Sequence, residues 1–303
     1  MSIYRSNLPH VLSFINLKGG VGKTTTAVAV AEMLAHELRK RVLLIDLDPQ
    51  TNATINLISK KRWDELDREG QTIAHLFEDK INLHCKPKFD IEKAIVRGVS
   101  TVDGGIARLD LLPSSIRLID FEERIAMISY NPGFLISPLD VLRQALEPVL
   151  ERYEYVIIDC PPSLGSVTKN GLRISTGYVI PTIPDIVSTW GIYQIVQNVR
   201  SFGARFGRVL EPLGIVATKV QRNNLHARVM EDLFHGRLGK FSEEGVPQPR
   251  FFKSRIPLAV DVARGGDADA GLRTLKSKYG IEAYEALHEL TLEIWALCEA
   301  RCH

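Results

Sequence analysis

The chain has 303 residues, enough for one large core or two domains. Hydrophobic residues make up 45% and charged residues 24%, and the formal net charge is only +2, so nucleic-acid binding requires a local patch rather than a basic tail. No apolar run approaches the ~20 residues of a membrane span. Met1–Arg5 lacks the apolar core of a secretory signal, and Cys85, Cys160, Cys298 and Cys302 are too scattered for a disulfide framework.

The first element predicted is a strand over Val11–Leu17, followed by a glycine-rich turn and a helix from Thr25. Arg41–Asp48 reads as a buried strand ending in acids. Ser59–Gly105 is more polar and irregular, an insertion or edge subdomain of a single domain, with helices near Thr72–Phe77 and Ile91–Val96. Leu109–Pro113 is a short strand, and Ile116–Ile128 and Pro138–Arg152 read as helices. Further strands are expected over Tyr155–Asp159, Gly177–Pro181 and Pro212–Thr218, with helices at about Ile192–Phe206 and Leu225–Leu238. Continuous apolar strands alternating with helices predict an α/β fold: a doubly wound, mostly parallel sheet covered on both faces.

Residues 18 to 25, Lys-Gly-Gly-Val-Gly-Lys-Thr-Thr, stand where the first strand passes into the first helix. That is the context of a phosphate-binding loop in a nucleotide hydrolase. Gly19, Gly20 and Gly22 let successive N–H groups face one anion, and Val21, Thr24 and Thr25 complete the loop. Lys23 is placed to reach the β- and γ-phosphates, and the Thr24 hydroxyl to hold Mg2+. Asp46, Asp48 and Asp159 close strands, where ligands of open parallel sheets bind. A lone acid after a strand is usually a turn residue or a cap. Together with a phosphate loop, the three form a consistent metal and water site, so a nucleoside triphosphate and Mg2+ are the expected ligands.

Lys18, a second lysine at the start of the loop, makes the octet resemble the deviant Walker A motif of the ParA/MinD ATPases. The resemblance extends through Val42–Gln50, Leu111–Ser114, Asp159-Cys160-Pro161-Pro162-Ser163 and Arg255–Val260. It implies the fold of P-loop NTPases and an ATP hydrolase. Lys18 would cross a dimer interface to the partner's nucleotide. Asp48 would orient the attacking water, Asp159 would hold Mg2+ through water, and Asp46 would support the metal shell. Pro257 would lie beside the adenine. The chain resembles ParA-type proteins without an N-terminal helix-turn-helix. Thr51, Ser188–Gly191 and Lys219 depart from the family pattern.

Arg200 and Arg222 resemble family arginines that contact DNA phosphates in the ATP-bound homodimer. Arg205, Arg208, Lys219, Arg228, Arg250, Lys253 and Arg255 widen that patch if they share its surface. The family implies a ParB-like centromere-binding partner, nonspecific DNA, a cytoplasmic and nucleoid-associated location, and partition of plasmid or chromosome. Three alternatives stand beside it. One is a protein cargo carried on the nucleoid. Another is a MinD-like membrane-positioning ATPase, opposed by the acidic polar side of Ala286–Glu299. The last is a small-molecule enzyme, whether a biotin- or cobalamin-pathway ligase or a nitrogenase-iron-protein-like reductase. Cys85 and Cys160 make no convincing pair for the reductase.

Overall fold

The computed structural model describes residues 8–81, 87–128, 137–221, 224–235, 241, 243–244, 246–258 and 272–301. Its strands are β1 (His10–Phe14), β2 (Val42–Asp46), β3 (Leu109–Leu112), β4 (Tyr155–Asp159), β5 (Gly177–Thr182), β6 (Pro212–Val220) and β7 (Phe251–Pro257). They form one seven-stranded sheet in the order β3-β2-β4-β1-β5-β6-β7. Every pairing between these strands is parallel. β2, β4 and β5 are buried along their whole length, as their unbroken apolar runs require. β7 alternates buried and exposed residues, so it reads as an edge strand with one face covered.

The helices are α1 (Lys23–His36), α2 (Asn52–Ile55), α3 (Lys60–Arg68), α4 (Ile73–Ile81), α5 (Ile91–Ala94), α6 (Leu118–Ile128), α7 (Val141–Leu146), α8 (Ser166–Ile174), α9 (Ile186–Ala204), α10 (Asn224–Phe234), α11 (Leu275–Tyr279) and α12 (Ile281–Ala300). Two apolar cores lie on opposite faces of the sheet. One gathers Ile73, Phe77, Leu118, Leu142, Leu172 and Ile195. The other gathers α1 from Ala27 to Ala35 with Leu287, Leu290 and Ile294 of α12. The segment 59–105 contributes to both, through Ile73 and Phe77 on one side and Leu66 and Val99 on the other.

Several boundaries move from those expected. α3 arises in a very polar stretch because Ser59 caps it, its hydroxyl accepting from Arg62 N at 3.3 Å. The helix expected over Pro138–Arg152 stops at Leu146 and resumes as a 3-10 turn over Leu150–Arg152. Pro148 has no N–H to continue the ladder and disfavours helical backbone in Glu147. α9 begins six residues before the expected Ile192, because Asp185 caps it: its carboxylate accepts from Ser188 N at 2.7 Å.

One polar cluster sits inside the second core. Glu32 of α1 is fully buried and accepts from Lys278 Nζ at 2.8 Å, Tyr279 Oη at 2.5 Å and Ser100 Oγ at 2.6 Å. Lys278 and Tyr279 are themselves buried. The cluster joins the helix behind the phosphate loop to α11, and Tyr284 Oη of α12 donates to Glu37 at 2.9 Å beside it.

Candidate functional site

The loop between β1 and α1 is shaped by left-handed backbone at Gly20 (φ 72°) and Gly22 (φ 83°), which L side chains rarely adopt. Gly22 is the N-cap of α1 and makes no side-chain cap, so the first-turn N–H groups are left for an anion. Thr218 of β6 fastens the loop from behind, its hydroxyl 2.6 Å from the Val21 carbonyl. Gly19, Gly20, Gly22, Lys23, Thr24 and Thr25 line a cavity of about 460 Å³, with Asp48, Gln50, Asn52, Asn56, Pro162 and Lys219 opposite. Val21 is buried beneath it. Lys23 is also largely buried, and its ammonium donates to the Lys18 carbonyl at 3.2 Å. Burial lowers its pKa, while Asp159 and Asp48 act to raise it.

Sheet register explains the acids. β2, β4 and β1 are neighbours, and Asp159 is in register with Asp46 on one side and Phe14 on the other. Asp46 and Asp159 thus end adjacent strands beside the loop that leaves β1. Asp46 is fully buried with both oxygens engaged: Oδ1 accepts from Asp48 N at 3.0 Å, and Oδ2 from Thr54 N at 2.9 Å and Thr54 Oγ1 at 2.7 Å. Its carboxyl shapes the Asp48 turn. Burial pushes its pKa up to about 7 against the hydrogen bonds from Thr54 and Asp48, with the Asp48 charge adding to the rise. Asp48 accepts from Gln50 N at 2.9 Å, and its carbonyl accepts from Ser114 Oγ at 2.7 Å, so its side chain is aimed by the turn around it.

Asp159 is fully buried and neither carboxylate oxygen has a hydrogen-bond partner of normal geometry. Burial raises its pKa well above the carboxylate range, helped by Asp46 and Asp48 and opposed by the Thr24 hydroxyl and Lys23. Such a group needs a cation or ordered water. Among the described residues no group of three or more His, Cys, Asp and Glu could hold a metal by itself. Mg2+ is commonly held by one or two carboxylates plus substrate phosphates, so Thr24 and Asp159 fit it.

Lys18 does not point into the cavity. Its ammonium is 3.2 Å from Asp185 Oδ2 and donates to Ser188 Oγ at 2.8 Å, while its N–H donates to Asn16 Oδ1 at 2.9 Å. Asn16 in turn donates to the Pro181 carbonyl at 2.7 Å. Burial tends to raise the Asp185 pKa, but the bonds from Ser188 and Lys18 bring it below the usual carboxylate range. The first lysine of the loop is therefore tied to the cap of α9. Sequence reasoning missed Asp185, Ser188 and Asn16, although Asp185-Ile186-Val187-Ser188 carries a capping pattern.

The remaining site residues are more dispersed. Pro257 pairs with Val220 at the carboxyl end of β7, next to Lys219, which does line the cavity. Arg200 is exposed near the C-terminal end of α9, beside the start of β6 at Pro212 and far along α9 from the loop. Arg222 lies outside the described residues. Lys253 and Arg255 project outward together along β7. Arg208 is held by the carbonyls of Arg173 and Ser175 at 2.8 and 2.9 Å. Cys160 and Cys298 are buried in the two cores, and Cys85 and Cys302 lie outside the described residues. Among the described residues no helix is long and apolar enough to cross a membrane.

A family model described as an AAA domain matches residues 9–211. The sporulation initiation inhibitor protein Soj of Bacillus subtilis (strain 168) is 36% identical over 225 residues, 74% of this chain and 78% of the relative. The chromosome-partitioning ATPase Soj of Thermus thermophilus is 31% identical over 229 residues, 76% of this chain and 77% of the relative. The crystal structure of a plasmid partition protein from Borrelia burgdorferi B31, bound to AMPPNP, superposes with a TM-score of 0.67 at 23% identity, covering 94% of this chain and 99% of that one.

Proposed function

The chain belongs to the ParA/MinD-type partition ATPases, and we propose that it is a Mg2+-dependent member whose ATP-bound homodimer binds DNA without sequence preference. A ParB-like centromere-binding partner then stimulates hydrolysis and release, and the cycle positions a plasmid or chromosome on the nucleoid. One cavity collects the glycine loop, Lys23, Thr24 and Asp48 over the unpartnered Asp159 carboxylate, and that convergence carries the proposal.

Phosphoryl transfer needs positioning and charge neutralisation more than covalent chemistry by the protein. The loop N–H groups and Lys23 hold the β- and γ-phosphates. Thr24 and Asp159 would hold Mg2+, Asp159 through water, and the ion would supply further charge neutralisation at the phosphates. Asp48 orients the attacking water, and Asp46 keeps the Asp48 turn in place. Lys18 leaves Asp185 and Ser188 to reach the nucleotide of the second subunit, so dimerisation frees the cap of α9, the helix that carries Arg200. Arg200 and Arg222 contact DNA phosphates, with Lys253 and Arg255 along the sheet edge as further cations. α12 buries its apolar stripe against α1 and β7, which disfavours a membrane role. Sedimentation with liposomes and ATP tests that alternative, and any ATP-dependent pelleting supports it. ATP turnover measured with and without duplex DNA and partner tests the cycle. Turnover that requires a small-molecule co-substrate would refute it.

A further inference from the structure

A second cavity of about 270 Å³ opens near the amino ends of β5 and β6, at the opposite end of those strands from the phosphate loop. Its walls include Val196, Pro212, Pro247 and Leu297, and its charged lining is Arg200, Arg250, Arg301 and Glu211. Tyr178 also lines it; the residue is fully buried, and its hydroxyl has no hydrogen-bond partner among the described residues. A buried hydroxyl without a partner is costly, so its presence beside a cavity marks a place for a ligand atom or water. Glycine makes room here: a Cβ on Gly177 would meet Leu213 Cδ1 at 2.3 Å and Arg301 Nη1 at 3.1 Å, so the guanidinium lies against the β5 backbone.

The charge and shape select a ligand class. Three guanidinium groups and one carboxylate leave a charge of +2 around the opening (3 − 1), which matches a phosphate monoester near its dianion form. Guanidinium forks suit phosphate oxygens. The volume lies just below the ~300–1,000 Å³ of ordinary ligand pockets, so the body carried by the phosphate is compact. A duplex rests its phosphates on a surface and does not reach a hydroxyl buried on a cavity floor, nor does it cover apolar walls.

We propose that this cavity is a second ligand site, separate from the ATP site, for a small phosphate monoester with a compact apolar or single-ring body. Arg250 and Arg301 hold the phosphate, the apolar walls cover the body, and the Tyr178 hydroxyl bonds a ligand oxygen. The test uses the full chain saturated with Mg2+ and ADP, so that the phosphate loop is filled. Phenyl phosphate is titrated by calorimetry, with inorganic phosphate as the head group alone. The expected result is one saturable site per chain that prefers phenyl phosphate. Arg250→Ala with Arg301→Ala should weaken it at least tenfold. Tyr178→Phe should weaken it about fivefold, the scale of one hydrogen bond. The melting temperatures of these variants should stay at the wild-type values, as should the DNA affinity of Tyr178→Phe. Absence of saturable binding, equal affinity for inorganic phosphate, or an equal loss of duplex DNA affinity in Tyr178→Phe overturns the proposal. The last outcome would assign the cavity to DNA and leave the partition reading standing.

Discussion

Lys278→Met should unfold the protein far more readily than a surface change, because it strands a charge behind the nucleotide site. Glu32 and Lys278 are at most 1% exposed, and the carboxylate of Glu32 receives donors from Lys278, Tyr279 and Ser100. Removing the ammonium leaves two neutral hydroxyl donors on a carboxylate with no counter-ion. Breaking a buried pair in this way costs about 3–5 kcal/mol, against a total stability of about 5–15 kcal/mol. Met fills most of the volume, so a cavity adds little. Glu32→Gln added to Lys278→Met removes that charge at all pH values and should recover at least half of the loss. Urea unfolding followed by circular dichroism measures both, with an unchanged m-value confirming that the two unfold alike. A loss below about 1 kcal/mol for Lys278→Met, or a double variant no more stable than the single, would refute the reasoning. Lys278 Nζ also stands 3.4 Å from the carbonyl of Asn56, a residue that lines the nucleotide cavity. The nucleotide affinity of folded Lys278→Met should therefore be reduced, which equilibrium binding below the unfolding transition checks.

Asp48→Ala should bind ATP, turn over at least ~100-fold more slowly and accumulate as a dimer, whereas Lys23→Ala should lose nucleotide binding; wild-type hydrolysis by Asp48→Ala would remove its role. Lys18→Ala should retain ATP affinity but fail to dimerise, by light scattering. Asp185→Asn keeps a good cap and should dimerise at ATP concentrations lower by less than about fivefold, the scale of a partly exposed ion pair worth ~0.2–1 kcal/mol. Burial lowers the pKa of His75 against the Asp67 charge, so the folded state binds fewer protons than the unfolded state just below the ordinary value of 6.5. Stability from this group is present above pH 6.5 and is lost as pH falls, and His75→Gln should flatten the melting-temperature profile between about pH 7 and 5.

The parallel α/β architecture was legible because β2, β4 and β5 are buried on both faces and carry unbroken apolar runs. β7 and α3 were not. β7 alternates around Lys253 and Arg255 at a sheet edge, and α3 is held by its Ser59 cap more than by an apolar stripe. The phosphate loop is local, so its spacing and glycines disclosed it. The neighbourhood of Asp159 follows from the register between β1, β2 and β4, which brings distant residues together only in the folded sheet. The link from Lys18 to Asp185 spans 167 positions, and no periodicity reports such a contact. The cluster of Glu32 with Lys278 is equally remote in sequence, and each residue alone reads as a solvated helix charge.

Duplex binding in defined nucleotide states tests the partition cycle most directly. Fluorescence anisotropy of two unrelated duplexes is measured over a range of salt with ATP, ADP or no nucleotide, using wild-type protein and the Asp48→Ala variant. Binding should occur with ATP alone, be indifferent to sequence, fall steeply with salt and persist longest in Asp48→Ala. Equal binding in all nucleotide states, or strong preference for one duplex, would contradict a DNA-binding switch set by ATP.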